Sequence, residues 1–515
     1  MSKFILSIDQ GTTSTKAFLI SKDGKVISSD GVPIKQIYPR PGYVEHDAEE
    51  IFLSVLKAVS NLLIETSTDP EDIDSISITN QRETTVLIKK ANGKPLHNAI
   101  VWQCRRTSEI CKREKFKAQE TFIHEMTGLK LDPYFSATKM RWYFENVPGA
   151  EEKAKNGDAL MGTIDSFLVY RLTNLKSFKT DFSNAGRTLL FNIHTLDYDA
   201  KLAEIFDIPL KALPTACPSC SDFGEVCLTD ETLDSYDDLD LNAKDILKKL
   251  NGKHIMGVAG DQAAALFGQT CFEKGNSKTT FGTGCFTLMN VGCEPVLSDN
   301  GLLTSPAWTI DGKTVYALEG SVFQGGSIIS WLKDEMGLIN KPSDCDVVCN
   351  RLENNGGVYF VPAFTGLSAP YWNSDVRGAI MGLTRGTGAD YIVRAGVEAI
   401  SYQVADLIKL MQEDLGLSYT EMKVDGGVTR CNFAMQLLSD VLRMRIVRAA
   451  SDEMTAAGVA YMAGLNTGFF ESMEEVKSFY KASVTYEPVR DEDASAELLA
   501  AYRKCVNTVI GGETL

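Results

Sequence analysis

Residues 4–20 read FILSIDQGTTSTKAFLI, an apolar strand, a turn crowded with hydroxyls, and a second apolar strand. The turn offers the hydroxyls of Thr12, Thr13 and Ser14 together with successive backbone N–H groups, which can cradle anionic oxygens. The same grammar returns at 279–286, TTFGTGCF, and at 423–432, KVDGGVTRCN, where glycine turns again follow apolar strands directly. Any one of these is also what an ordinary hairpin requires. At 258–269, VAGDQAAALFGQ sets Asp261 on a tight turn between an apolar strand and a helix of small residues. That is how a cleft presents a catalytic base. Asp261 also suits a helix N-cap, and the two readings are compatible.

Working outward, the first half opens with the strands FILSI, KAFLI and KVISS, joined by short turns as in a meander. A helix is predicted over 47–65, with Asp47 as cap, Glu50 at the capping-box position, and Ile51, Phe52, Val55, Leu56, Val59, Leu62 and Leu63 on one face. SISIT (75–79) reads as a strand ending at NQRETT, and VLIKKANGKPLHNAIVW as two strands about an Asn92-Gly93 turn. The second half repeats the pattern: strand, turn and strand at 279–291, a long helix near 389–415, helices at 432–442 and 453–465, and the strand RMRIV between them. Two halves of this kind predict an α/β protein, a duplicated unit closing on a cleft. The boundary is expected at 245–258, after the acidic stretch TDETLDSYDDLDLNAKD, giving domains 1–255 and 256–515.

Composition narrows the partners. At 515 residues the chain exceeds one core, and two to four domains are expected. A net charge of −16 without a basic block argues against nucleic acid and anionic membrane. No run approaches eighteen apolar residues, the N-terminal apolar run is too short for a signal peptide, and the tail CVNTVIGGETL is too short and polar for an anchor. Twelve cysteines are scattered; Cys217, Cys220 and Cys227 cluster, but no histidine lies near in sequence to complete a zinc site. Free thiols in a reducing cytoplasm are the expectation.

Three phosphate-grade turns and a central Asp point to ATP. Asp9 cannot face a phosphate directly, because like charges repel, but it can do so through Mg²⁺. Lys16 would add positive charge near the phosphates. No GxxxxGK[ST] or GxGxxG motif occurs. Arg82 and Glu83 place a fork donor beside an acceptor at a strand end, which suits a vicinal diol and equally suits a surface salt bridge. Trp102, Tyr134 and Phe286 would line the same cleft if the halves face each other; each alone is also an ordinary core aromatic. Asp261 would accept the proton that a substrate hydroxyl loses as phosphoryl transfer proceeds.

The set DQGTTST, ITNQRETT, NAIVWQCRR, DPYFSATK, FNIHTLD, AGDQAAALFGQ, FGTGCF, VPAFTGLSAPYW, RGAIMGLTRG and VDGG, in this order from residue 9 to about 430, resembles the FGGY carbohydrate kinases, and within them the glycerol kinases. The resemblance implies two actin-like (ribonuclease H-type) domains with glycerol and ATP between them, and a homodimer or homotetramer. Carried over by motif, Arg82, Glu83, Tyr134, Asp261 and Gln262 would hydrogen-bond glycerol, while Trp102 and Phe286 would flank its carbons. Asp9 and Asp261 would face Mg²⁺; Thr12, Thr13, Ser14, Lys16 and Thr283 would touch phosphates; Gly326 and Gly427 match nucleotide positions. Lys16 stands where many members carry Arg, Ser330 where many carry Gln, and Cys431 where many carry Asn, so the base-edge contacts are expected to be weaker. The Gly-Arg motif by which some members bind fructose 1,6-bisphosphate is not matched before AGDQ. Two alternatives stay open: a kinase for another polyol or sugar, and a non-catalytic, nucleotide-gated actin-like module.

Overall fold

The computed structural model describes residues 3–373 and 375–511; the last four residues of the C-terminal tail lie outside them. Two mixed sheets organise the chain. The first has six strands in the order Gly224–Glu225, His254–Gly260, Ile73–Asn80, Phe4–Gln10, Ser14–Ser21, Val26–Pro33. Its three N-terminal strands form the expected antiparallel meander, and Ile73–Asn80 and His254–Gly260 extend it in parallel. The second has seven, in the order Leu303–Ile310, Lys313–Val322, Cys285–Gly292, Ser277–Phe281, Glu421–Asp425, Arg445–Ala449, Ala482–Tyr486. Here too an antiparallel meander passes into parallel strands at Glu421–Asp425 and Arg445–Ala449. The duplication is therefore a repeat of sheet topology, with a polar or glycine turn between the first two strands of each sheet.

The helix Ala48–Glu65 covers the first sheet. Ile51, Phe52, Val55, Leu56, Val59, Leu62 and Leu63 are all buried, as the 3.6-residue spacing requires. Full burial of such a side chain stabilises by roughly 1.5–3 kcal/mol. Asp47 caps this helix through the Glu49 N–H, but the capping box does not form: Glu50 accepts the N–H of Lys35 at 2.8 Å and ties the helix to the preceding loop.

Two features bear on the division. The acidic stretch before residue 246 belongs to the first half. It folds into Asp230–Asp234 and Leu241–Lys248, and Leu233, Tyr236, Leu239, Ala243 and Leu247 join the core under the first sheet. Thr229 and Asp240 cap these two helices through the Thr232 and Ala243 N–H groups, and Asp230 and Glu231 lie in the first turn of the former, where a helix N-terminus favours negative charge. In addition, the strand His254–Gly260 is hydrogen-bonded to Ile73–Asn80, so a division between residues 255 and 256 falls inside a strand of the first sheet.

The halves are stitched together by helix Met454–Thr467, which comes late in the chain yet lies on the first sheet. Ser7 donates to Ala456 O at 2.8 Å, and Tyr461 donates to Gly24 O at 2.8 Å. It also crosses helix Asp261–Gly268 at backbone distance: a Cβ on Gly458 would lie 1.9 Å from Ala264 O, and one on Gly268 would lie 2.0 Å from Met454 O. The small residues of both helices are what allow the crossing. Asp261 and Glu453 are thereby carried to the cleft on two helix N-termini. Among the described residues no helix is long and apolar enough to cross a membrane.

Candidate active site

The strand Ile73–Asn80 ends in Asn80 and Gln81, and the chain then turns through Arg82 and Glu83. Glu83 adopts a left-handed φ of +57°, a conformation that needs support from its surroundings. Its carbonyl receives that support from Thr85 Oγ1 at 2.9 Å, Ser136 Oγ at 3.1 Å and Lys139 Nζ at 3.2 Å. Lys139 also donates to the carbonyl of Tyr134, fastening both segments to one ammonium. Burial pulls Lys139 down to about 8.

Arg82 and Glu83 are both buried and do not pair with each other, so the surface salt bridge is ruled out. Arg82 forks onto Glu319, Nη1 at 2.5 Å and Nη2 at 3.0 Å, and its Nε lies 3.2 Å from Asp261 Oδ1. Arg187 donates to Glu83 Oε1 at 2.5 Å and to Glu319 Oε1 at 3.0 Å. The order Glu83, Arg187, Glu319, Arg82, Asp261 alternates in charge. Glu319 comes from the second sheet and joins two arginines of the first half. Burial alone would raise the Glu319 carboxyl, but Arg187 and Arg82 override it and hold the group at about 2. Burial raises Glu83, against the pull of Arg187 and Arg82. Gly260 is required here, because a Cβ would lie 2.7 Å from Arg82 Cγ and Cδ.

Asp261 is the first residue of its helix, not its cap. Gly260 holds the cap position, and the Asp261 carboxylate accepts the N–H of Gln262 at 2.7 Å. Ser183 Oγ accepts the Gly260 N–H at 2.9 Å and fixes the turn that carries the acid. Trp102, Tyr134 and Phe286 do meet: Trp102 stands edge-on to Tyr134 at 5.8 Å and to Phe286 at 6.1 Å between ring centroids. The Trp102 indole N–H donates to Thr12 Oγ1 at 2.9 Å, linking this aromatic wall to the first hydroxyl turn.

That turn, residues 11–14, is closed by the Gly11 N–H on Ser14 O at 2.9 Å. Behind it sits His46 between two amides, with Gln36 2.6 Å from Nε2 and Gln81 3.3 Å from Nδ1. Gln36 also donates to Thr12 O at 2.5 Å and Gln81 to Gly11 O at 3.2 Å. Burial lowers His46 to about 4, so the ring is neutral. Asp9 is pushed up to about 7, by burial first and then by Asp261 and Glu453, with Lys16 pulling the other way. Lys16 Nζ lies 3.0 Å from Glu453 Oε1.

The second turn packs backbone on backbone. Gly326 N–H bonds Gly282 O at 2.8 Å, and the N–H groups of Gly325 and Ser327 bond Thr283 O at 2.8 and 3.1 Å. A Cβ on Gly326 would lie 2.7 Å from Gly282 O. At Gly427, by contrast, a Cβ would meet no atom within 4 Å. Ser330 is exposed on the helix Gly326–Asp334. The Cys431 thiol is buried and donates to Asp346 Oδ1 at 3.7 Å.

Sequence reasoning missed Arg187, Glu319, Lys139, Lys278 and His46. Two carried a usable signal, since Glu319 in KTVYALEGSV and Lys278 in SKTTF are charges inside buried strands.

Models of the FGGY family of carbohydrate kinases match the chain twice, the N-terminal domain over residues 4–233 and the C-terminal domain over residues 278–467. The glycerol kinase of Bacillus cereus (strain G9842) is 47% identical over 98% of this chain and 99% of its own length, and that of Bacillus anthracis (strain A0248) is 46% identical over the same shares. The chain belongs to the FGGY family of carbohydrate kinases. Among solved structures, Plasmodium falciparum glycerol kinase with ADP is similar at a TM-score of 0.90 and 34% identity, covering 100% of this chain and 99% of that one. Gluconate kinase from Lactobacillus acidophilus, at 22% identity and a TM-score of 0.87 over 99% of both chains, shares the fold. The two-lobed, actin-like architecture of FGGY kinases is thus this protein's fold.

Proposed function

We propose that this FGGY kinase transfers the γ-phosphoryl group of ATP to a terminal hydroxyl of glycerol, giving sn-glycerol 3-phosphate and ADP. One observation carries the reading. Buried Arg82 and Glu83, with the partly exposed Asp261 3.2 Å from Arg82 Nε and a wall of Trp102, Tyr134 and Phe286, sit in a chain 46–47% identical over 98% of its length to proteins named glycerol kinase. The charged groups suit adjacent hydroxyls and the rings suit the carbons between them. Gln262 and Tyr134 would complete the hydrogen bonds to the polyol.

In the transfer, the hydroxyl oxygen bonds to the γ-phosphorus, the bond from that phosphorus to the bridging oxygen breaks, and ADP leaves. Asp261 takes the hydroxyl proton. Thr12, Thr13, Ser14 and Lys16 would hold phosphates from one side and Thr283 from the other. Gly326, Ser330, Gly427 and the backbone at Cys431 would border the nucleoside. Asp9 and Asp261 fit a Mg²⁺: both are hard oxygen donors, burial and the Asp261 charge push Asp9 up to about 7, and the nearby Lys16 is already paired with Glu453. When bound, the cation supplies charge neutralisation at the phosphates. Among the described residues no third ligand completes a protein cage, which suits an ion that keeps waters and substrate oxygens.

We divide the chain after Gly260: Arg82, Glu83, Trp102, Tyr134 and the first phosphate turn come before it, and the catalytic Asp261, Gln262, Phe286, Thr283 and the nucleotide contacts after it. The twelve unpaired thiols support a reducing, cytoplasmic setting, and a homodimer or homotetramer is the assembly we propose. The test is coupled ADP release with Mg·ATP against glycerol, dihydroxyacetone, erythritol, xylulose and water, repeated with GTP. The expected result is a strong preference for glycerol. A higher kcat/KM on another acceptor would overturn the substrate and leave the phosphoryl transfer. No acceptor-dependent release would overturn both.

A further inference from the structure

Lys278 is fully buried on the strand Ser277–Phe281, beneath the acceptor end of the cleft, and nothing in the transfer just described uses it. Its ammonium donates to Gln262 Oε1 at 2.5 Å and to Thr280 Oγ1 at 3.0 Å. Burying a lysine is unfavourable unless its charge is answered. Asp425 on the neighbouring strand, Asp261 and Glu319 supply the answering negative charge, while Arg82 opposes it. Burial still draws the ammonium down to about 8.

The contact with Gln262 has a chemical consequence. An ammonium has three donors and no acceptor, so only the carbonyl oxygen of a carboxamide can face it. The amide of Gln262 is thereby fixed in one of its two orientations, with the NH₂ turned away from Lys278. Among the described residues that NH₂ donates to no protein group, and Gln262 keeps 9% of its surface exposed beside Asp261. A carboxamide on a helix N-terminus with no such partner is free to present either end.

We infer that Lys278 is a positioning residue for acceptor recognition: it locks Gln262 as a hydrogen-bond donor to a hydroxyl oxygen of the polyol and thereby sets the enzyme's discrimination between polyols and acceptors lacking that hydroxyl. The inference rests on the proposed contact between Gln262 and the acceptor.

A double-mutant cycle separates the two. Steady-state kcat and KM for glycerol, and for 1,2-propanediol and 1,3-propanediol, are measured for the wild type, Lys278→Met, Gln262→Ala and the double variant. Methionine replaces the buried ammonium by an apolar chain of similar length. Lys278→Gln, which keeps a neutral donor, serves if the methionine variant does not fold. The expected result is a roughly ten-fold rise in glycerol KM for Lys278→Met, the order of one hydrogen bond's net contribution, with kcat changed less than KM. The preference for glycerol over the propanediols should shrink in parallel. In the Gln262→Ala background the lysine substitution should add nothing further. Multiplicative effects of the two substitutions would overturn the inference while leaving the Gln262 contact standing. So would a fall in kcat at unchanged KM, because that pattern places Lys278 in the field of Asp261 instead. An unchanged glycerol KM in Gln262→Ala alone would overturn the acceptor contact, and the inference with it.

Discussion

The two ends of the cleft are built from different materials. The proposed acceptor end is built on charged side chains taken wholly out of water: Arg82, Glu83, Arg187 and Glu319 are each 4% exposed or less. The proposed phosphate end is built on backbone turns at 11–14, 282–284 and 325–327, whose glycines let main chains approach, with the hydroxyls of Thr12, Thr13, Ser14 and Thr283 carried on them. The difference follows from the ligands. A triphosphate brings its own charge and is met by N–H groups and helix N-termini, whereas a small neutral polyol must be met by groups that already hold one another in place. The acceptor end is therefore a set of mutually dependent charges, and the phosphate end a set of locally determined turns.

The sharpest break in this comparison lies where the ends meet. Asp261→Asn should lower kcat by about 10²- to 10⁴-fold, the usual worth of a general base, while glycerol binding by calorimetry stays near that of the wild type. Loss of glycerol binding with turnover per bound substrate unchanged would remove Asp261 from the role of base and make it one more member of the charge set.

Mutual dependence at the acceptor end makes a second, nearly as large prediction. Glu319 never needs to touch substrate, yet Glu319→Ala strands two buried guanidinium groups and should destabilise by about 3–5 kcal/mol in denaturant unfolding. Glu319→Gln, which keeps the shape and one acceptor, should recover part of that loss. A change under about 1 kcal/mol in the alanine variant would show that Arg82 and Arg187 are held by something else.

The same contrast explains what could be read from the chain. DQGTTST, FGTGC and VDGG were legible because a turn's requirements are local: small residues, hydroxyls, and an apolar strand before them. Likewise Ile51 through Leu63 were read correctly because a helix face repeats every 3.6 residues. Arg82 and Glu83 were found as a pair, but their partners were not, since Arg187 and Glu319 lie 105 and 237 residues from Arg82 and only the fold brings them together. The expected division runs through the strand His254–Gly260 for a related reason. Its composition says strand, but sheet membership depends on pairing with Ile73–Asn80. Cys431 matched a family position, while its side chain direction was decided by Asp346, a neighbour invisible in local sequence.

Backbone recognition at the phosphate end yields a smaller and more selective effect. Gly326→Ala forces a methyl to 2.7 Å from Gly282 O, a backbone atom that cannot turn aside, and should lower stability by about 1–3 kcal/mol and raise the KM for ATP. Gly427→Ala meets open space and should leave the unfolding free energy within about 0.5 kcal/mol of wild type, altering only the KM for ATP. Glycerol KM should be insensitive to both. If Gly427→Ala changed neither constant, the open space beside it would not belong to the nucleotide.

The mildest test concerns His46, the ring held between Gln36 and Gln81 behind the first turn. Its folded pKa is about 4, against 6.5 ordinarily, so between those values the unfolded chain binds a proton that the folded one refuses. The contribution of His46 to stability is fully present above about pH 6.5 and is lost as the pH falls toward 4. A single group of this kind can steepen the acid limb by at most about 1.4 kcal/mol per pH unit. His46→Gln, which cannot charge, should flatten that limb by up to this slope and leave stability at pH 8 nearly level with wild type, as measured by urea unfolding at half-unit intervals. Because Gln36 and Gln81 reach both the ring and the carbonyls of Thr12 and Gly11, acid should also raise the KM for ATP before it affects glycerol. An acid limb of equal slope in both proteins would mean that the ring titrates normally and the turn stands without it; the phosphate end would then owe its shape to local backbone alone.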